Sequence, residues 1–178
     1  MNTTIINLWG GPGSGKSTLA LAATAALKRR GASAELVTEF VKDWCWRGQA
    51  VGPFDAPYIT ASQLYRESGL YGKVDFLVTD SPVSLGAIFE RLFRPGDHMM
   101  HDLCRSIRAR QAAAGLVHVD LLVPRRHAYV PEGRWQTEED AVRLDEFCRD
   151  HLHSLYGPGN IRLARVETDV LAALGIYT

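Results

Sequence analysis

The sequence predicts a three-layer α/β/α fold built on a five-stranded, mainly parallel sheet. Three observations carry that reading. Short apolar runs alternate with stretches of helical period along the chain, the pattern of βαβ units with right-handed crossovers. The run Val74-Asp75-Phe76-Leu77-Val78-Thr79-Asp80 concentrates its apolar residues in one short stretch, as a strand covered on both faces requires. The first apolar run, 5–9, leads directly into the glycine-rich octapeptide Gly10-Gly11-Pro12-Gly13-Ser14-Gly15-Lys16-Ser17 and then into a helix.

Each element follows from local signals. Residues 5–9 read as a buried strand. The helix after the octapeptide, 18–30, ends at Gly31 behind Lys28, Arg29 and Arg30, a glycine stop after a basic last turn. A second short strand spans 34–38, a loop with Gly52 and Pro53 spans 51–56, and a helix spans 58–70. After the 74–80 strand, Leu85, Ile88, Phe89, Leu92 and Phe93 form a helical stripe that Pro95-Gly96 breaks. A helix over roughly 97–114 closes at Gly115, and 117–123 is the fourth strand. The segment 124–136 is a polar, arginine-bearing loop. Thr137 caps the following helix, whose acidic opening Glu138-Glu139-Asp140 suits the positive end of the helix dipole. Residues 160–166 form a fifth strand, and Thr168-Asp169 caps a last short helix.

Composition narrows the function classes. The 178 residues suit one domain, 1–178, with a full core. Apolar residues make up 46%, which argues against disorder. Lys plus Arg equals Asp plus Glu at 20 each, so net charge points to neither a nucleic-acid coat nor a membrane surface. Cys45, Cys104 and Cys148 are far apart and odd in number, the usage of reduced thiols. No apolar stretch approaches the ~20 residues of a membrane span. The chain starts straight into a strand without a secretory leader. A cytoplasmic protein is the expectation.

The octapeptide fits G-x-x-x-x-G-K-[ST], the phosphate-binding P-loop, in the strand–loop–helix setting that motif needs. The predicted fold is therefore the P-loop NTPase fold. Backbone amides of Gly11, Pro12's neighbours, Gly13, Ser14, Gly15, Lys16, Ser17 and Thr18 would surround phosphate oxygens, aided by the helix start. Lys16 can reach the outer phosphates, and the Ser17 hydroxyl can ligate Mg²⁺.

Ligands in such sheets gather at the carboxyl ends of strands, which selects Glu39, Asp80, Pro124-Arg125-Arg126 and Glu167. Asp80 ends an apolar strand in the Walker B manner, as a Mg²⁺ ligand or as the base for an attacking hydroxyl; a simple turn role before Ser81-Pro82 is the bland alternative. Glu39 and Asp43 follow the second strand, where a carboxylate can orient an acceptor hydroxyl; an exposed loop acid is the bland alternative for each. Trp44 and Trp46 offer faces for a flat nucleobase or anchors for the loop. Tyr58, Gln63 and Arg66 would complete an acceptor pocket. Arg125, Arg126 and Arg134 suit a mobile lid that neutralises the transferring phosphoryl group. Arg105, Arg108 and Arg110 suit a polar helix face better than a DNA contact. His98/His101 and His151/His153 lack the further ligands of a structural zinc site. The adenine pocket has only a positional guess, residues 166–169.

On these residues the chain resembles phage P-loop nucleotide and nucleoside kinases, including those that phosphorylate 5-hydroxymethyl-deoxyuridine within DNA. More distantly it is similar to ribosylnicotinamide kinases. The shared stretches are Asn7-Leu8-Trp9 with the P-loop, Glu39-Phe40-Val41-Lys42-Asp43-Trp44, Thr79-Asp80-Ser81-Pro82 and Gly133-Arg134-Trp135-Gln136-Thr137-Glu138-Glu139. The resemblance implies a kinase using ATP and Mg²⁺ at Gly13, Gly15, Lys16, Ser17 and Asp80. It implies an acceptor role for Glu39 and Asp43 and a lid role for Arg125, Arg126 and Arg134. The expected acceptor is a hydroxyl of a nucleobase or nucleoside, first the hydroxymethyl of 5-hydroxymethyluracil in DNA, second a free nucleoside or monophosphate. An ATPase switch or assembly factor is the rival class, and a nucleotide-binding module without turnover ranks below it.

Overall fold

A computed structural model describes residues 2–157 and 159–176. Five strands, β1 (Thr4–Trp9), β2 (Ala34–Val37), β3 (Phe76–Thr79), β4 (Val117–Leu122) and β5 (Arg162–Leu163), pair in the order β2-β3-β1-β4-β5. Every pairing is parallel. Seven helices connect or flank them: α1 (Lys16–Arg29), α2 (Lys42–Trp46), α3 (Asp55–Ser68), α4 (Leu85–Phe93), α5 (Met99–Ala113), α6 (Glu138–Tyr156) and α7 (Glu167–Ala173). The fold is the expected three-layer α/β/α P-loop arrangement. The chain leaves β1 toward β2 on one side and later reaches β4 on the other, so the strand order switches side beside β1. That switch opens a crevice at the carboxyl ends of the central strands.

Side-chain alternation on β1 divides the core. Ile6 and Leu8 face α1 and α7, where Leu19, Ala23, Leu27, Val170 and Leu171 are buried with them. Trp9 faces the opposite layer, packing with Leu85, Ile88 and Leu92 of α4 and Leu144, Cys148 and Leu152 of α6. Fully burying each such Leu or Ile contributes about 1.5–3 kcal/mol. Both faces of β1 are thus covered, which explains why its sequence lacks polar alternation.

The second layer also contains buried polar groups. Asp120, on β4, accepts hydrogen bonds from Asn7 Nδ2 at 2.9 Å, Trp9 Nε1 at 2.8 Å and the Tyr156 hydroxyl, and it pairs with Arg108 at 2.5 Å. Burial alone would raise the Asp120 pKa, but Arg108 and the hydroxyl and indole donors hold it below its ordinary value. Arg108 is therefore turned inward, whereas Arg105 and Arg110 remain on the exposed face expected for all three. Nearby, Glu67 is buried and its pKa is pushed up to about 8 by desolvation. His118 is pushed down to about 4 by burial and by Arg108.

Several boundaries differ from the sequence expectation. Residues 42–46 form a short helix, α2, in a stretch to which the sequence pattern assigns no element. Strand β5 keeps only Arg162–Leu163. Helix α7 starts at Glu167, and Asp169 caps it from inside the first turn by accepting from the Arg165 and Val166 amides at 2.7 and 3.1 Å. Thr137 does cap α6, in a reciprocal capping box with Asp140.

Replacing Arg108 with Ala leaves a buried carboxylate without its cation and should cost about 3 kcal/mol in urea unfolding. Glu67 gives the opposite kind of prediction. Its folded pKa lies above its unfolded one, so the folded state retains a proton the unfolded state has lost. Stability from this group falls as pH rises between about 4 and about 8. Glu67→Gln should therefore unfold at a higher temperature than wild type at pH 8, with the gap closing toward pH 4.

Candidate active site

The site is assembled at the carboxyl ends of β1, β3 and β2. Strand β1 ends into the P-loop, and α1 begins at Lys16 with Gly15 in the left-handed region as its N-cap and no side chain capping it. The first-turn amides are thus left to face an anion. Gly13 has φ +80, and a Cβ there would lie 3.1 Å from Arg125 Nη1 and 3.6 Å from the Arg134 guanidinium. Arg125 and Arg134 therefore converge on the P-loop. Arg125 Nη1 and Arg134 Nη1 are buried and have no hydrogen-bond partner among the described residues. Buried guanidinium nitrogens without acceptors are costly, and phosphate oxygens are the acceptors whose geometry suits them.

Lys16 Nζ folds back onto the carbonyls of Gly10 and Gly11, at 2.7 and 2.9 Å. Desolvation lowers its pKa, opposed by the charges of Glu39, Asp80 and Asp145. Ser17 Oγ donates to Asp80 Oδ2, and Asp80 Oδ1 accepts from the Glu39 amide at 3.1 Å. The Ser17 hydroxyl, in the first turn of α1, and the Asp80 carboxylate, just past the end of β3, are oxygen groups side by side that fit a hard cation such as Mg²⁺. Burial raises the Glu39 pKa above the usual carboxylate range and Asp80 adds to this, while Lys16 opposes it. A carboxyl held in that way is suited to take a proton.

A cleft of about 940 Å³ opens from the P-loop. One end holds Lys16, Ser17, Glu39 and Asp80; the walls include Phe40, Ile59, Phe89, Phe93 and Met100, and lid residues His127, Gly133, Arg134 and Trp135 also border it. Gln63, as expected, lines it, and its side-chain carbonyl accepts from the Phe40 amide at 2.9 Å.

Other expected site residues lie elsewhere. Asp43, Trp44, Trp46, Tyr58 and Arg66 are outside the cleft lining. Trp44 stacks on Tyr58 with centroids 6.0 Å apart, Phe40 meets both edge-on, and Arg66 lies over the Phe40 ring at 4.9 Å. These rings satisfy one another and pack α2 onto α3. Trp46 lies against the lid: a Cβ on Gly133 would meet its ring at 2.6 Å. Arg125 and Arg126 are both outside the lining; Arg126 is exposed, and Arg125 is held by Asp145 beside the P-loop. Residues 166–169 and the strand-end Glu167 also lie outside it. Sequence reasoning missed the apolar wall from α4 and α5, Lys42 and Arg94 in the lining, and Asp145. The wall was visible as the Phe89/Phe93 stripe. Asp145 carried no motif.

No family model matches the chain, and no curated protein matches it. Solved structures do. The chain is similar to APS kinase CysC of Mycobacterium tuberculosis, solved in complex with AMPPNP and APS, at 15% identity over 98% of each chain with a TM-score of 0.55. It is also similar to thymidylate kinase of Candida albicans, at 14% identity over 98% of this chain and 90% of that one, again with a TM-score of 0.55. At these identities the likeness establishes the α/β P-loop fold shared with such kinases. Among the described residues, no helix is long and apolar enough to cross a membrane.

Lys16→Ala removes the one P-loop ammonium in the cleft without touching the core. It should abolish ATP-dependent turnover, measured as phosphate transfer or release, while the far-UV circular dichroism and melting temperature stay near wild type.

Proposed function

We propose that this protein is an ATP-dependent phosphotransferase that moves the γ-phosphoryl group to a hydroxyl of a nucleobase- or nucleoside-type acceptor. The observation that carries this is the convergence, around Gly13, of the Arg125 and Arg134 guanidinium groups, each with one buried nitrogen lacking a partner among the described residues, on a P-loop whose Lys16, Ser17 and Asp80 share a cleft with Glu39. Phosphoryl transfer needs in-line positioning and charge neutralisation more than covalent help. The α1 amides and Lys16, released from the Gly10 and Gly11 carbonyls, would hold the outer phosphates. Arg125 and Arg134 would neutralise the transferring group and, with the lid, exclude water. Mg²⁺, held by Ser17 and Asp80, would supply charge neutralisation at the phosphate oxygens. Glu39 would orient the acceptor hydroxyl and take its proton late in the transfer.

Two solved neighbours of this fold, APS kinase and thymidylate kinase, are kinases, and the apolar cleft walls suit a flat acceptor ring. The finer proposal is that the acceptor is the hydroxymethyl group of 5-hydroxymethyluracil in phage DNA, flipped into the cleft. It rests on the resemblance in the motifs at Glu39, Asp80 and Arg134. A free nucleoside or monophosphate is the second reading. It is favoured by the small number of cations in the lining: beyond the P-loop and lid, Lys42 and Arg94 are the basic side chains there among the described residues. A single small anion needs few cations; a DNA backbone engages many.

The test offers labelled ATP with hydroxymethylated DNA, unmodified DNA, nucleosides and monophosphates in parallel. Label is expected on the hydroxymethylated DNA. Label confined to free nucleosides or monophosphates would select the second reading. Free phosphate alone, unaffected by every acceptor, would overturn the kinase and leave an ATPase switch. With a working acceptor, Glu39→Gln should lower kcat by about 10²-fold or more while leaving KM for ATP within a few fold.

A further inference from the structure

We propose that Asp145, on α6, is the positioning residue of the phosphate site, through its grip on Arg125. The proposal rests on reading the P-loop as a nucleotide site. Asp145 divides its two oxygens between the elements that must meet there. Oδ1 accepts from the Gly11 amide at 2.6 Å, and Oδ2 accepts from Arg125 Nε at 2.9 Å. The carboxylate and the guanidinium are both largely shielded, with side chains 21% and 17% exposed, so solvent screens the pair less than it would a surface one.

The rest of the Arg125 fork is fixed with it. Nη2 donates to the Pro12 carbonyl at 2.9 Å and to the Ala141 carbonyl at 3.3 Å. With Nε and Nη2 committed, the planar guanidinium has one nitrogen left. That nitrogen, Nη1, is the buried, unpartnered one beside Gly13. The arrangement specifies both where the free donor lies and which way it points. A swinging lid arginine would have to lose side-chain entropy on ligand binding; this one is ordered beforehand. The same carboxylate ties α6 to the P-loop, where a Cβ on Gly11 would lie 2.3 Å from the Ala141 carbonyl.

An aspartate is needed here. In Asp145→Asn the side-chain oxygen can still accept from the Gly11 amide. The new NH₂ would then face the Arg125 Nε–H, donor against donor, and the fork would be released. Arg125→Lys keeps the positive charge but has no fork, so it cannot be gripped by Asp145 and aimed at Gly13 at once.

The experiment titrates wild type, Asp145→Asn, Arg125→Gln, their double variant and Arg125→Lys with a fluorescent ATP analogue and Mg²⁺, alongside melting temperatures. Each single variant, Arg125→Lys included, is expected to weaken binding at least tenfold. The double variant is expected to bind no more than twofold weaker than the worse single one, because both substitutions remove one interaction. Losses that multiply in the double variant, or Asp145→Asn binding as wild type does, would overturn the proposal. If Asp145→Asn does not fold, Arg125→Lys decides alone: wild-type affinity in that variant overturns the aimed fork. A wild-type protein that binds no analogue would instead overturn the nucleotide-site reading, so the two failures are distinguishable.

Discussion

The constraint on which the rest of the structure depends is the absence of side chains along the inner rim of the P-loop. At Gly11 the loop backbone lies against α6, close enough that a single added carbon would collide with the Ala141 carbonyl. At Gly13 the backbone is in a left-handed conformation and leaves open the space on which Arg125 and Arg134 converge. Filling either position would push the loop away from α6 or push the guanidinium groups out of the site. Sheet order, helix packing and lid anchoring all act to bring a bare backbone turn, a helix start and these cations to one point.

That point carries opposed charges in a partly desolvated crevice. Lys16, Arg125 and Arg134 supply the positive groups, and Glu39, Asp80 and Asp145 the negative ones. Desolvation draws Lys16 down and Glu39 up, and each also acts on the other across the crevice. Lys16 donates to the Gly10 and Gly11 carbonyls, and Arg125 to the Pro12 carbonyl and to Asp145. Neutral carbonyls are weaker partners for a cation than an ionised oxygen, so Arg125 is the more firmly held of the two.

The fold was legible in the sequence because its signals are local. The 74–80 run, the strand–P-loop–helix succession and the Thr137 capping box are each set by neighbouring residues, and each appears in the structure with small shifts of boundary. The P-loop cluster of the candidate site was legible for the same reason. Trp44 is legible in the sequence only as a choice between a nucleobase platform and a loop anchor; it stacks on Tyr58 across two helices, a pairing that its sequence neighbours do not reveal. Arg108 was misread in the same way. Its helix pattern marks an exposed face, but a buried Asp120 on another element draws it inward. Asp145 illustrates the general limit. Its significance lies wholly in contacts with residues 20 and 134 positions away.

Those long-range contacts tie the layers into one device. Helix α6 closes the core over Trp9 through Leu144, Cys148 and Leu152, and at the residue next to Leu144 it presents Asp145 to the P-loop and Arg125. Packing therefore sets the position of the carboxylate, and the carboxylate sets the direction of the guanidinium. Burial on one side of a helix is converted into orientation at a charged site on another. Electrostatic preorganisation of this kind does not require the charges themselves to stabilise the fold; the apolar contacts supply the stability, and the charges are held where a phosphoryl group would need them.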